Sequence, residues 1–373
     1  MKTRCLGWIW AILLPLTAGA GPNVDALFKP LADAKAPGAA VEVRQDGRII
    51  FQRGYGLCDL QTLHKIGPRT DFRLASVTKQ FTAMAIMLLV HDGKLNYDQS
   101  LTDIFADFPD YGRAITIRAL LTHTSGLPDY EVLMGPQWSA THQINDEAVL
   151  DLLKRQSMGK FAPGTSWAYS NSAYVVLGLI VAKVSGRSFP RFLYERIFKP
   201  LQMTSTLAYV KGQEEVKNRA YGYSRNEHGE LVASDQSSTS ATLGDGGVYS
   251  NLVDLAKWDA ALRSNTLLSA GEMSDAFTPV TLADGSKPSW PLETGEDNLD
   301  PGKPVDYGFG WFLDPYKGHV RVWHSGNTSG FRTVIDRFVP EHLLIVILAN
   351  RTDLDPSSLA LQIADMFLTR KAL

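Results

Sequence analysis

A chain of 373 residues with 37 Lys and Arg against 39 Asp and Glu, 45% apolar residues, 8 His and 2 Cys suits one large domain or two modest ones and is apolar enough to bury a core. Its formal charge of -2 leaves no basic surplus to hold a polyphosphate backbone. No run of like charge forms an acidic tail or a basic arm, so nucleic acid is not expected as a partner.

In chain order, Lys2 and Arg4, an apolar run from Cys5 to Leu16 and the small residues Ala18-Gly19-Ala20 have the layout of a signal peptide cleaved after Ala20. The run is shorter than the ~20 residues that cross a bilayer. Export to the periplasm or medium is therefore expected over a retained anchor, with no later membrane span. Cleavage removes two basic residues (37 - 2 = 35 against 39, a net of -4) and Cys5. Cys58 is then the one thiol, and its Gly- and Leu-rich surroundings predict burial.

An amphipathic helix is expected over 24–34, kinked at Pro30. Segments 40–45 and 48–53 around Asp46-Gly47 read as a β-hairpin. From 76 to about 91 the pattern is helical and stops at Asp92-Gly93. Further helices are predicted at 117–121 behind Thr116, 146–155 behind Asn145, 174–184 up to Gly186, and 190–197. Turn-rich stretches at 234–242 and 283–303 read as surface loops. Strands return at 307–313, 320–323, 333–338 and 343–348, and Asp355-Pro356 opens a closing helix to about 368. Strands at both chain ends around a helical middle predict an α+β fold, with one antiparallel sheet assembled from the two ends and flanked by helices. The α/β part covers about 21–75 and 225–373 and the helical part about 76–224 of a single domain, 21–373.

Three short motifs carry chemistry. In Ser76-Val77-Thr78-Lys79 the helical spacing of three puts an amine beside a hydroxyl, in a first turn whose unpaired N–H groups favour negative charge. Tyr169-Ser170-Asn171 precedes an apolar helix, where a phenol and an amide can enter a cleft; the alternative is that Asn171 caps that helix. His324-Ser325-Gly326-Asn327 follows a β run, with a Gly that permits close backbone approach. His123 is expected to tie a helix end to its loop. The histidines show no metal-ligand spacing, so no metal is expected.

As an ordered set these motifs resemble the penicillin-recognising serine hydrolases: class C β-lactamases, D-alanyl-D-alanine carboxypeptidases, D-aminopeptidases and related esterases. Family-like stretches at 115–127, 246–250 leading to Asp254, and 307–311 extend the resemblance over roughly 24–370. It implies a β-lactamase/transpeptidase-like fold and no cofactor. Ser76 would be the acylated nucleophile and Lys79 its base, while Tyr169 would carry protons to the leaving group and activate water. Asn171 would hold the substrate amide and steady Lys79; His324 would orient Tyr169. Ser325 and Gly326 would line the substrate strand, and the N–H groups of Ser76 and Asn327 would form the oxyanion hole.

Two departures stand out. His324 occupies a place where class C β-lactamases resemble Lys-Thr-Gly, which leans toward carboxypeptidases and esterases; an imidazole near its ordinary pKa of ~6.5 would make activity pH-dependent. Gln202 follows Pro200-Leu201 where relatives often carry Gly. The expected function is an exported serine hydrolase acting through an acyl-enzyme on D-amino-acid peptides or β-lactam-like compounds, with small molecules or peptides as partners. An esterase of the same fold and a non-hydrolytic sensor of cell-wall fragments are the alternatives. An α/β-hydrolase with a Ser-His-Asp triad is the disfavoured enzyme reading, because no G-x-S-x-G elbow occurs. Substrate choice falls to loops 125–145, 234–245 and 283–306 and to Trp138, Tyr130, Trp290 and Trp311; the sequence sets no oligomeric state.

Overall fold

The β-prone segments at the two ends of the chain join in one sheet in the computed structural model, which describes residues 23–31, 35–293 and 299–368. The leader read in residues 1–20, and 32–34 of the first predicted helix, lie outside those residues. Strands β1 (Ala39–Gln45) and β2 (Arg48–Tyr55) form the expected hairpin. Asp46 and Gly47 have φ of 52° and 77°, the left-handed pair that a two-residue turn requires. The remaining strands are β3 (Phe72–Arg73), β4 (Leu207–Ala208), β5 (Tyr223–Arg225), β6 (Leu231–Ala233), β7 (Val248–Ser250), β8 (Arg321–Thr328), β9 (Phe331–Phe338) and β10 (Leu343–Ala349). The antiparallel five-stranded sheet runs β2-β1-β10-β9-β8. Ala39 faces Ala349 and Gln45 faces Leu343 across the seam between the chain ends.

Every residue of the central strand β10 is buried. Period-2 geometry divides them between two cores. Leu344, Val346 and Leu348 join the core that holds Leu255 and Trp258; Leu343, Ile345 and Ile347 join the one that holds Ala360, Ile363 and Ala364. Those partners belong to α8 (Leu252–Arg263) and α10 (Pro356–Phe367), separated in the chain by the short α9 (Ala270–Met273).

The middle of the chain supplies α1 (Lys79–His91), α2 (Leu101–Ile104), α3 (Ile117–Leu121), α4 (Tyr130–Leu133), α5 (Asp146–Lys154), α6 (Asn171–Ser185) and α7 (Phe189–Leu193). Short polar side chains cap them as the pattern predicts: Thr116 accepts from the N–H of Ala119, Asn145 from Ala148 and Asp355 from Ser358. Gly186 closes α6 at φ 67°. Residues 79–89 of α1 are all buried, and α1 packs against α6.

Four expectations change. The first helix is a 3₁₀ helix, Val24–Leu31, which accommodates Pro30. Segment 190–197 divides into α7 and a π turn at Tyr194–Phe198. Segment 307–313 is not a strand but irregular backbone with isolated bridges from Phe312 to Tyr307 and Trp323; a Cβ on Gly308 would lie 2.0 Å from the carbonyl oxygen of Ala276, so the chain there is shaped by close packing. β8 continues to Thr328, past the end expected at 323, because pairing with β9 holds His324-Ser325-Gly326-Asn327 extended. Gln202 has φ 57°, a left-handed site where glycine fits without strain.

Candidate active site

The turn bearing Ser76 is held on several sides. β3 ends at Arg73, Ala75 takes φ 50°, and a 3₁₀ turn over Ala75–Thr78 feeds α1. A left-handed alanine costs on the order of 1 kcal/mol, so its surroundings must impose it. Thr333 Oγ1 donates to the Leu74 carbonyl at 2.7 Å, and Thr78 Oγ1 accepts from the Val248 N–H at 3.1 Å. Gly326 of β8 passes so near that a Cβ there would lie 2.2 Å from the Leu74 oxygen. The close approach anticipated from that glycine sets the edge strand beside the hydroxyl.

Lys79 is fully buried. Its Nζ donates to Ser76 Oγ at 3.0 Å, to Asn171 Oδ1 at 2.8 Å and to the Asp245 carbonyl at 3.0 Å, and it lies 4.8 Å from the centre of the Tyr169 ring. Two of these acceptors carry no proton to give. A neutral amine would keep its two N–H bonds on Asn171 and Asp245 and turn its lone pair toward the Ser76 hydroxyl.

Asn171 can serve Lys79 because it is not the helix cap. Ser170 is, accepting from the Ala173 N–H at 3.1 Å. Asn171 Nδ2 in turn donates to Glu131 Oε1 at 3.2 Å, which fixes the sense of the amide. The preceding loop is anchored by His123, whose Nδ1 accepts from the Ser170 N–H at 3.1 Å. Burial, with Lys79 and His324 nearby, pushes His123 well below the usual imidazole range. A neutral ring accepting at Nδ1 carries its proton on Nε2, and that nitrogen lies buried without a hydrogen-bond partner. The ring packs 4.5 Å from Tyr169 and 4.6 Å from Tyr307, centre to centre, so His123 positions the tyrosine loop as well as its own.

His324 differs from expectation in two respects. It is buried, and burial followed by the Lys79 charge pushes its pKa down to about 3, so the ring stays neutral across the range where titration was expected. Its hydrogen bonds run to Ser325 and Tyr307, with the Tyr169 ring 6.2 Å away. Nδ1 lies 2.6 Å from the Ser325 carbonyl and must donate to it, which leaves Nε2 to accept from the Tyr307 hydroxyl at 3.2 Å. The sequence placed Tyr307 in an expected strand and in a family-like stretch but gave no sign of this partnership with His324.

Ser76, Tyr169, His324, Ser325 and Asn327 line one small cavity with Leu299 and Phe312. All eight residues singled out by sequence are thus gathered around it: Lys79 and Asn171 through hydrogen bonds, and Gly326 through β8. Ser325, Asn327 and Phe312 also border an adjoining groove of about 760 Å³. Trp290 lines that groove, whereas Tyr130 and Trp311 are core residues. Trp138 stacks on His142. Cys58 is buried, as expected. No group of three or more His, Cys, Asp or Glu among the described residues could hold a metal ion.

A Ser-Lys pair beneath a tyrosine loop, at the edge of a sheet built from both chain ends, defines a serine hydrolase of the β-lactamase and penicillin-binding type. The chain belongs to the Beta-lactamase family, whose profile matches residues 24–366. It is 31% identical over 344 residues to Penicillin-binding protein 4* of Bacillus subtilis, covering 89% of this chain and 72% of that protein. It is 28% identical over 333 residues to a D-aminopeptidase of Brucella ovis, covering 88% of this chain and 59% of that one. Among solved structures, the octameric penicillin-binding protein homologue from Pyrococcus abyssi superposes with a TM-score of 0.77 at 26% identity, over 92% of this chain and 76% of that one.

Proposed function

We propose that the protein is an exported hydrolase that cleaves amide or ester bonds of D-amino-acid compounds through an acyl-enzyme on Ser76. The observation that carries this reading is the placement of Lys79 Nζ 3.0 Å from Ser76 Oγ, while the same nitrogen also donates to Asn171 Oδ1 and the Asp245 carbonyl. In the neutral form Lys79 takes the Ser76 proton as Oγ attacks the substrate carbonyl. The N–H groups of Ser76 and Asn327 hold the oxyanion, and Tyr169 protonates the leaving group. Water, deprotonated by the Tyr169 phenolate so formed, then attacks the ester, and Lys79 returns its proton to Ser76 Oγ as the acyl product leaves.

Two features rank the substrates. A neutral His324 offers no charge to a carboxylate beside the scissile bond, which disfavours β-lactams. Glu131, an exposed carboxylate bonded to Asn171, suits an amino group at the acyl end of the substrate. D-aminoacyl amides and peptides therefore rank above β-lactams, and short esters are the second reading.

Ser76→Ala is expected to abolish turnover of D-aminoacyl p-nitroanilides and p-nitrophenyl esters and to remove labelling by a fluorophosphonate, while circular dichroism stays unchanged. Equal ester turnover by the variant and the parent protein would overturn the assignment. Export is tested separately: the purified mature protein is expected to begin at Gly21 by N-terminal sequencing.

A further inference from the structure

Among the described residues, three exposed cations without an ion pair gather around a single concavity. Residues 64–70 and 217–219 wall a concavity of about 740 Å³ that has no lining residue in common with the cleft around Ser76 or its adjoining groove. Its charged lining residues are Lys65, Arg69, Lys217 and Arg219, with His64 beside them and no carboxylate. Arg219 is paired with Asp235 and packed against the rings of Tyr209 and Tyr249. Lys65, Arg69 and Lys217 are exposed and form no ion pair among the described residues. In a protein of formal charge -2, three cations without an ion pair around one concavity, beside the Arg219–Asp235 pair, are a local excess of positive charge.

The walls are fixed in advance of any ligand. The N–H of Asp71 donates to the Asn218 carbonyl at 2.8 Å, and that of Ala220 to the Asp71 carbonyl at 2.9 Å, so the two loops are laced to one another. Within the first loop the Cys58 N–H donates to the His64 carbonyl at 2.8 Å and the Gly67 N–H to Thr70 Oγ1 at 3.0 Å. Asn350, buried beneath, donates to the carbonyls of Leu57 and Tyr221. A ligand arriving here orders side chains but little backbone, which lowers the entropic cost of binding.

We propose that this groove binds a multivalent oxyanion, with two or more phosphate or carboxylate groups on a short backbone, held by Lys65, Arg69 and Lys217 over a base formed by Arg219. A single small anion would leave the other cations unmatched, and the volume is that of a small-molecule site. The two lysines act as point charges, whereas Arg69 offers a planar fork that meets two oxygens of one group.

The test is calorimetric titration of the full-length mature protein at pH 7 with inorganic tripolyphosphate and, separately, with citrate. Tripolyphosphate is expected to bind with a Kd below about 100 µM at about 20 mM NaCl and at least tenfold more weakly at about 200 mM, since the contacts are screened. Lys65→Ala/Arg69→Ala/Lys217→Ala is expected to weaken binding tenfold or more with ester hydrolysis unchanged. Arg155→Ala/Lys160→Ala/Lys199→Ala, three exposed cations elsewhere, removes the same charge and is expected to leave binding within twofold. Binding of citrate alone, or of both anions, supports the site and decides which oxyanion it prefers. Absence of binding by either anion up to about 1 mM at low salt, or equal weakening by the two triple variants, overturns the proposal.

Discussion

Lys79 and His324 show how much one side chain's partners decide. The Ser76–Lys79 pair was legible in the sequence because an i, i+3 spacing fixes which atoms can meet. The state of His324 was not, since it depends on burial and on a charge contributed by another element. Its depressed pKa of about 3 predicts that kcat/KM shows no inflection due to His324 between pH 5 and 8, checked by initial rates on a neutral ester. An inflection near pH 6.5 that vanishes in His324→Gln would contradict this. The stability consequence has the opposite sign from that of a salt-bridged histidine. The unfolded ring takes up a proton near pH 6.5 and the folded ring resists it, so this contribution falls as pH drops from about 6.5 toward 3, by about 1.4 kcal/mol per unit. In His324→Gln the dependence is expected to flatten by that amount between pH 6 and 4 in urea titrations.

Among the elements, β8 is the one whose boundaries and consequences were least visible. The β pattern was expected to end at 323, and pairing with β9, from Arg321 opposite Phe338 to Thr328 opposite Phe331, carries the strand through His324-Ser325-Gly326-Asn327. The hairpin at Asp46-Gly47 and the caps on α3, α5 and α10 were readable because their signals lie within a few residues of each other. Gly326→Ala tests the register of β8 against the turn that bears Ser76. The new methyl meets backbone at Leu74 and the hydroxyl of Thr333, so the strand must move away by a fraction of an ångström to an ångström. Displacements of this size cost about 10²-fold in rate. The expected result is a loss of two orders of magnitude in kcat with secondary structure retained; activity within threefold of the parent would show that the contact yields freely.

At the scale of the molecule, both chain ends were expected in one sheet, and they meet in it. The long-range ties that lock the rest onto that sheet left no local signature. Asn350, at the end of β10, is fully buried. It accepts from the Gly38 N–H at 2.8 Å and donates to the carbonyls of Leu57 and Tyr221 at 3.0 and 2.9 Å. One amide thus joins three separate stretches of chain. Asn350→Leu strands an N–H and these carbonyls in the interior and is expected to destabilise the fold by roughly 3–5 kcal/mol; denaturant unfolding checks this, and a loss below about 1 kcal/mol would mean that water replaces the amide.

The seam between β1 and β10 also has a temporal meaning. During synthesis, Ser76 and Lys79 leave the ribosome long before Gly326, which packs against Leu74, and before β9 and β10, which join β8 to β1 in the sheet. Such pairing between distant segments is slow to form. The hydroxyl and amine of Ser76 and Lys79 are thus synthesised well before β8, whose Ser325 and Asn327 line the cavity beside Ser76.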